Sequence, residues 1–314
     1  MTRDPLPTSL TPRHTRRVNL PVLLFTTACA AAQDPPHTVE WESVLYDDGS
    51  GSSALSYSYT NVAMQRFDAR IGVGKLTLDP EPAQIREFQL GWQSPRFGVM
   101  GAFWGDSDIL TTREGILNIQ ITSSDWDFRV SPAWRRIDLY GAPLRTADQQ
   151  TTRPHISIDS PSMTLAADYL GYSDWVHGIE FSAYHYSRDM TRLNADAFFD
   201  NLERLRQSGR DLTEQQILRI LRIIELFSRF ANALALSSSF VDWSARYDVN
   251  YFWRDFLLTA SADLAQSAVT QTRFSYIGLE ATYIAPTWAA SAHWSFDPQT
   301  PTNWLLQTRW TLFF

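Results

Sequence analysis

The chain has 314 residues, 44% hydrophobic and 13% aromatic, with a formal net charge of -7. That balance argues against a general nucleic-acid binder. No run of about eighteen residues is continuously apolar, so a helical membrane protein is excluded, while a soluble protein remains open on these figures alone.

Residues 1 to about 32 fit a secretory signal peptide. Arg13, Arg16 and Arg17 form a basic start, Val18 to Phe25 a short apolar core, and Thr26 to Ala32 a small-residue end. Ala28-Cys29-Ala30 and Ala30-Ala31-Ala32 are both A-x-A cleavage choices. Cys29 is the only cysteine and opens a lipoprotein alternative. Cleavage after Ala30 or Ala32 would leave no disulfide, no thiol chemistry and no zinc–thiolate site. In residues 34–65, Asp47-Asp48-Gly49-Ser50-Gly51-Ser52-Ser53 reads as a flexible linker rather than a calcium loop.

Period-two alternation then recurs along the chain. Phe67, Ala69, Ile71 and Val73 oppose Asp68, Arg70, Gly72 and Gly74; Phe88, Leu90 and Trp92 oppose Glu87, Gln89 and Gln93. Further on, Trp243, Ala245, Tyr247 and Val249 oppose Asp242, Ser244, Arg246 and Asp248. Trp288, Ala290, Ala292 and Trp294 oppose Ser291, His293 and Ser295. The spacing predicts strands near 66–78, 84–93, 96–105, 116–130, 133–142, 153–171, 175–187, 239–252, 255–265, 272–285, 287–296 and 303–314. Turns fall at Ser94-Pro95, Ser131-Pro132, Ser173-Asp174, Arg254-Asp255 and Pro286.

Residues 191–238 break the pattern. Asn194 caps a helix through Phe198, Phe199, Leu202 and Leu205, stopped at Gly209. Thr213 caps a second, with Ile217, Ile220, Leu221, Ile224 and Phe227 at helical spacing. The insert reads as a helical hairpin: a folded loop domain, a plug for an interior, or a lipid-contacting element.

The chain ends on Trp304-Leu305-Leu306-Gln307-Thr308-Arg309-Trp310-Thr311-Leu312-Phe313-Phe314. Phe314, Leu312, Trp310, Leu306 and Trp304 share one face; Gln307, Arg309 and Thr311 share the other. A strand like this, ending on Phe, resembles the closing strand of bacterial outer-membrane β-barrels. The resemblance implies an all-β protein: an antiparallel up-and-down transmembrane β-barrel of about 12 strands with a helical hairpin insert. It implies a bacterial outer membrane location, contact with outer-membrane lipid, and an assembly signal at Trp310, Leu312 and Phe314 read by the barrel assembly machinery. Twelve tryptophans, several at segment ends, fit interfacial girdles. Residues 33–65 become an N-terminal periplasmic segment or an extension of the first strand. The barrel proper covers 66–314, and the insert leaves from its outer rim.

In such a barrel apolar side chains face lipid and polar ones line the lumen. The expected lining is Asp68, Arg70, Glu87, Asp242, Arg246, Asp248, Asp263, Glu280, His293 and Arg309. Rings of charge select ions or small polar solutes, or pair across a closed lumen. A narrow or gated porin-like channel is the preferred reading.

A second candidate site is His185 and Ser187, two apart and on one face of a strand. A Ser beside a His can cleave an acyl ester. Their spacing looks like the His-x-Ser of outer-membrane phospholipase A and lipid A deacylase, where the resemblance implies Ser187 as nucleophile and His185 as base. Arg188 stands where those families usually have Asn. A third reading is a docking barrel whose hairpin meets a partner. The other histidines, His155, His177 and His293, lack metal-type spacing, and no phosphate or dinucleotide loop appears. No metal or cofactor is expected.

Overall fold

A computed structural model describes residues 36–47, 49–61, 64–76, 83–106, 110–140, 144–145, 151–152, 155–171, 174–193, 240–299 and 304–314. The sheet closes on itself as a barrel, with its last strand returning to pair with its first. The barrel strands are β1 (His37–Tyr46), β2 (Gly51–Thr60), β3 (Arg66–Leu76), β4 (Ala83–Gln93), β5 (Phe97–Asp106), β6 (Leu110–Thr122) and β7 (Trp126–Tyr140). They continue with β10 (His155–Tyr169), β11 (Trp175–Tyr184), β12 (Val241–Trp253), β13 (Phe256–Ser267), β14 (Arg273–Ile284), β15 (Trp288–Phe296) and β16 (Trp304–Phe313). A separate two-stranded sheet, β8 (Leu144–Arg145) with β9 (Thr151–Thr152), lies between β7 and β10. Every barrel pairing is antiparallel, including the closing one, where Thr38 meets Phe313 and Glu42 meets Arg309.

The barrel therefore has 14 strands, not the expected 12 or so. The two additional strands come from residues 37–60, within the span expected as a periplasmic segment or an extension of the first strand. Val39, Trp41 and Leu45 alternate with Glu40 and Glu42, and Leu55, Tyr57 and Tyr59 with Ala54, Ser56 and Ser58. The Gly/Ser tract between them is a tight turn: the Tyr46 N–H donates to the Ser50 carbonyl at 2.9 Å, and Gly49 takes a φ of 76°. Glycine takes that left-handed value without the clash a Cβ would bring.

Ser131-Pro132 is a second correction. It lies inside β7, and the β6–β7 turn is at 123–125, where the Ser123 N–H donates to the Trp126 carbonyl at 2.8 Å. The proline leaves its mark on the ladder. The β6–β7 pairing lapses between Ile116/Ala133 and Ile119/Val130, around the residue with no N–H to give. The Ser131 hydroxyl bridges the gap to Asn118 Oδ1 at 2.7 Å.

The other four expected turns lie at the end of the barrel that holds Phe314. Parity survives both corrections, because the additional strands come as a pair and the misplaced turn only shifts a boundary. The connection 185–240 thus leaves from the far end. The expected helical hairpin lies almost wholly outside the described residues, which show only a short 3-10 turn at Met190–Leu193. No helix among the described residues is long and apolar enough to cross a membrane.

The wall is inside out. Leu55, Ile71, Phe88, Leu90, Leu117, Leu165, Ile179, Leu279 and Leu312 are all exposed on the outer face. Aromatic rings gather outward at the Phe314 end: Trp126 with Phe128 and Tyr169, Trp175 with Tyr251, Trp253 with Phe256, and Trp288 with Trp310. Rings at that height suit a membrane–water boundary, and the apolar band above them suits hydrocarbon. Exposure of this much apolar surface would be untenable in water. The outer face is the lipid face.

Candidate functional site

The strand pleat that sends apolar side chains outward sends the intervening polar ones inward. Of the expected lining residues, Asp68, Arg70, Glu87, Arg246, Asp248, Asp263, Glu280, His293 and Arg309 occupy inward positions. Asp242 does not join them. It is the extra residue of an irregularity between Val241 and Trp243 at the far rim, where its Oδ2 accepts from Gln271 at 2.8 Å.

These side chains are organised as ion pairs. Arg70 is a hub, giving Nη2 to Glu42 at 2.7 Å and Nε to Glu87 at 3.1 Å. Arg309 lies 3.5 Å from Glu40 and 4.0 Å from Glu42. Glu40–Arg309–Glu42–Arg70–Glu87 is thus one chain of charges that crosses the seam between β16 and β1 and runs on to β4. It passes over β2, whose inward residues Ala54, Ser56 and Ser58 are small enough to leave the path open. The Ser56 hydroxyl accepts from Arg70 Nη1 at 3.4 Å.

A second group lies across β7, β10, β11, β12 and β13. Arg129 meets Glu180 at 3.2 Å; Arg246 meets Asp248 at 3.3 Å and Asp263 at 3.5 Å. Gly178 makes room for it: a Cβ there would stand 2.8 Å from Asp168 Oδ1 and 2.9 Å from Asp248 Oδ2. Gly72 does the same for Glu87, whose Oε2 would lie 2.8 Å from a Cβ. His293 and Glu280 approach to 3.6 Å, and Arg135 meets Glu114 at 3.5 Å with its guanidinium over the Tyr184 ring.

Among the described residues, carboxylates outnumber guanidinium groups on the inner wall. Glu40, Glu42, Asp68, Glu87, Glu114, Asp127, Asp168, Glu180, Asp248, Asp263 and Glu280 face Arg66, Arg70, Arg129, Arg135, Arg246 and Arg309. Glu40 and Glu42, outside the expected lining, sit in Val39-Glu40-Trp41-Glu42, which carries the same alternation as the other lining strands.

Near the far end the inner wall turns apolar. Leu110, Ile137, Leu139 and Ile158 have no solvent exposure. They pack in one cluster with Tyr186, Met190 and Phe240 from the ends of the 185–240 connection. The Tyr186 hydroxyl donates to the Val241 carbonyl at 2.9 Å, and its ring meets Phe240 edge-on at 5.9 Å.

His185 and Ser187 lie just beyond β11 at the far rim, both exposed. The backbone continues the β10 ladder: the His185 N–H donates to the Pro161 carbonyl and the Ser187 N–H to the Asp159 carbonyl, each at 2.9 Å. Asp159, not singled out from the sequence, stands directly opposite Ser187. The Ser187 Oγ accepts the Asp159 N–H at 2.9 Å, and no hydrogen bond joins it to His185 among the described residues. Asp159 Oδ1 is buried without a hydrogen-bond partner. Among the described residues no group of His, Cys, Asp and Glu is arranged to hold a metal.

No family model and no curated protein matches the chain. Solved structures do. A KdgM porin matches at 6% identity with a TM-score of 0.43, covering 88% of this chain and 99% of its own. OmpT of Vibrio cholerae, an outer membrane protein, matches at 7% and 0.42, covering 90% and 99%. The outer membrane protein opdK from Pseudomonas aeruginosa matches at 9% and 0.37, covering 88% and 97%. Such scores leave the barrel's own geometry to decide its class. A closed antiparallel barrel with a lipid-facing exterior, a charged interior and an aromatic belt at one end is an outer-membrane β-barrel.

Proposed function

We propose that this barrel is a narrow or gated channel for small polar solutes or ions, with a preference for cations. The observation that carries the reading is the charged inner wall inside 14 strands, net-acidic among the described residues. Strands about 4.8 Å apart and tilted by about 40° close a barrel roughly 28 Å across between backbones. Side chains reduce that width, and the apolar cluster at the far end reduces it further. An excess of carboxylate over guanidinium concentrates cations inside. The same reading takes Trp310, Leu312 and Phe314, in a row on the outer face of β16, as the signal for the assembly machinery, with the Phe314 end in the periplasm.

Planar-bilayer recording across a KCl gradient tests it. The expected result is a conductance whose reversal potential has the sign of cation preference, weakened by Glu180→Gln with Asp263→Asn. An absence of conductance at every voltage, or an anion preference, overturns it.

A second reading, an outer-leaflet lipid hydrolase using Ser187 and His185, is favoured by one observation: a carboxylate, Asp159, lies across the ladder from Ser187. Release of fatty acid from phospholipid or lipid A that is abolished by Ser187→Ala would support it. Release that survives the substitution removes it.

A further inference from the structure

The outer face is apolar over most of its height, but not at the far end of β3 to β7. There Lys75, Arg86, Arg113 and Arg136 are all exposed on outward positions. Each stands on an outward ladder of its own strand: Lys75 beyond Val73 and Ile71, Arg86 beyond Phe88 and Leu90, Arg113 beyond Leu117 and Ile119, Arg136 beyond Trp134. The register binds them into one patch. Lys75 pairs with Gln84 and Val73 with Arg86, so Lys75 and Arg86 are diagonal neighbours. Arg86 pairs with Gly105 and Phe103 with Arg113, and Arg113 directly opposes Arg136. From β3 to β7 is four strand spacings, about 19 Å.

Two features of the patch ask for an anion. Like charges directly opposite on one face destabilise a sheet, and Arg113 and Arg136 are such a pair. Lys75, Arg86 and Arg113 make no ion pair with any described residue. Only Arg136 has local compensation: Asp138 at 3.5 Å, the Ser157 hydroxyl at 3.2 Å, and Asp159 as its cross-strand partner on β10. Among the described outward side chains, four cations against two carboxylates leave an excess of two positive charges; Asp106, at the end of β5, accepts from the Gln84 N–H at 2.8 Å. The opposite end of the same strands shows Phe67, Trp92, Phe97, Trp126 and Phe128, with Arg96 the one cation in the β4–β5 turn among the described residues.

We propose that this patch binds the headgroup of a lipid carrying phosphomonoester groups, in the leaflet that surrounds the far end. Its position at the top of the apolar band selects a lipid over a soluble polyanion, because acyl chains would lie on Ile71, Phe88 and Leu117 while the headgroup meets the cations. Its charge selects a phosphomonoester, which carries about -1.5 to -2 near neutral pH, over a singly charged phosphodiester. Arginine offers the forked donors that phosphate oxygens accept.

The test uses the full-length folded barrel in detergent and native mass spectrometry. It is titrated with diphosphoryl lipid A, phosphatidylglycerol and phosphatidylethanolamine. Lipid A is expected to be retained in preference to both phospholipids. Arg86→Gln with Arg113→Gln is expected to lower its retention at least about tenfold, at roughly 1 kcal/mol per cation at a headgroup. The heat-modified mobility of the double variant on a gel checks that it is folded. Lys75, the only lysine of the chain, gives an independent readout: lipid A should protect it from an amine-acetylating reagent, and phosphatidylethanolamine should not. Equal retention of phosphatidylglycerol overturns the phosphomonoester assignment. Unchanged retention in the folded double variant, or an unprotected Lys75, overturns the site.

Discussion

Arg70 is the side chain on which the inner wall most depends, and a double-mutant cycle with Glu42 measures how much. The pair is 2.7 Å apart, with Arg70 at 16% exposure and Glu42 and Glu87 at 9% each. Arg70→Gln removes the cation that both carboxylates share and leaves Glu42 with Arg309, 4.0 Å away. Breaking a buried pair costs about 3–5 kcal/mol, and because this wall borders the lumen the low end, about 3, applies. Glu42→Gln keeps one acceptor for Arg70 but loses its charge, for about 2 kcal/mol. If the two side chains act on each other, the double variant costs about 3 rather than about 5 kcal/mol, a coupling of about 2. Urea unfolding in phospholipid vesicles, followed by tryptophan fluorescence, reads all four corners of the cycle. Additivity within about 0.5 kcal/mol refutes the hub.

Neighbouring positions on β10 test which face meets lipid. Leu165→Arg, outward beside Val130 and Phe181, should cost roughly 2–4 kcal/mol, and Thr164→Arg, inward, far less; equal costs measured in the same vesicle assay would contradict the polarity. Gly178→Val should destabilise by roughly 1–3 kcal/mol and lower single-channel conductance, since its Cβ enters the space of Asp168 and Asp248. Gly101→Ala, where a Cβ meets nothing within 4 Å, is the control and should leave both unchanged.

Much of this barrel was legible because its strands obey one rule. Trp243 to Val249 and Trp288 to Trp294 alternate cleanly, and the structure pairs them as the pattern requires. The rule failed where another signal overrode it. A Gly/Ser tract reads as a linker and obscures β1 and β2, although Gly49 needs only one turn. Pro132 looked like a boundary, but a strand that loses one ladder bond can continue when its neighbours hold. Asp242 had the right parity and the wrong place, since an irregularity at a rim is a backbone event that side-chain spacing does not record. The hub is half visible in the sequence: Arg70 alternates with Ala69 and Ile71, but its partner Glu42 lies ahead of the first expected strand. Arg86 and Arg113 are not legible as outward residues, because their charge runs against the apolar alternation of their own strands.

The seam between β1 and β16 joins residues near opposite ends of the described chain, as in the reciprocal hydrogen bonds of His37 and Phe314, each 3.1 Å. Contacts of such sequence separation form late, because every intervening loop must first be closed. Glu42, Arg70 and Glu87 belong to the first four strands and can come together early. Arg309 arrives only with the final strand. Until then the nascent sheet has an open edge bearing Glu40 and Glu42, an acidic margin that the incoming Arg309 neutralises in the correct register. A slip of one residue would turn that arginine outward, toward hydrocarbon. The charges of the seam thus favour the native register over its one-residue neighbours.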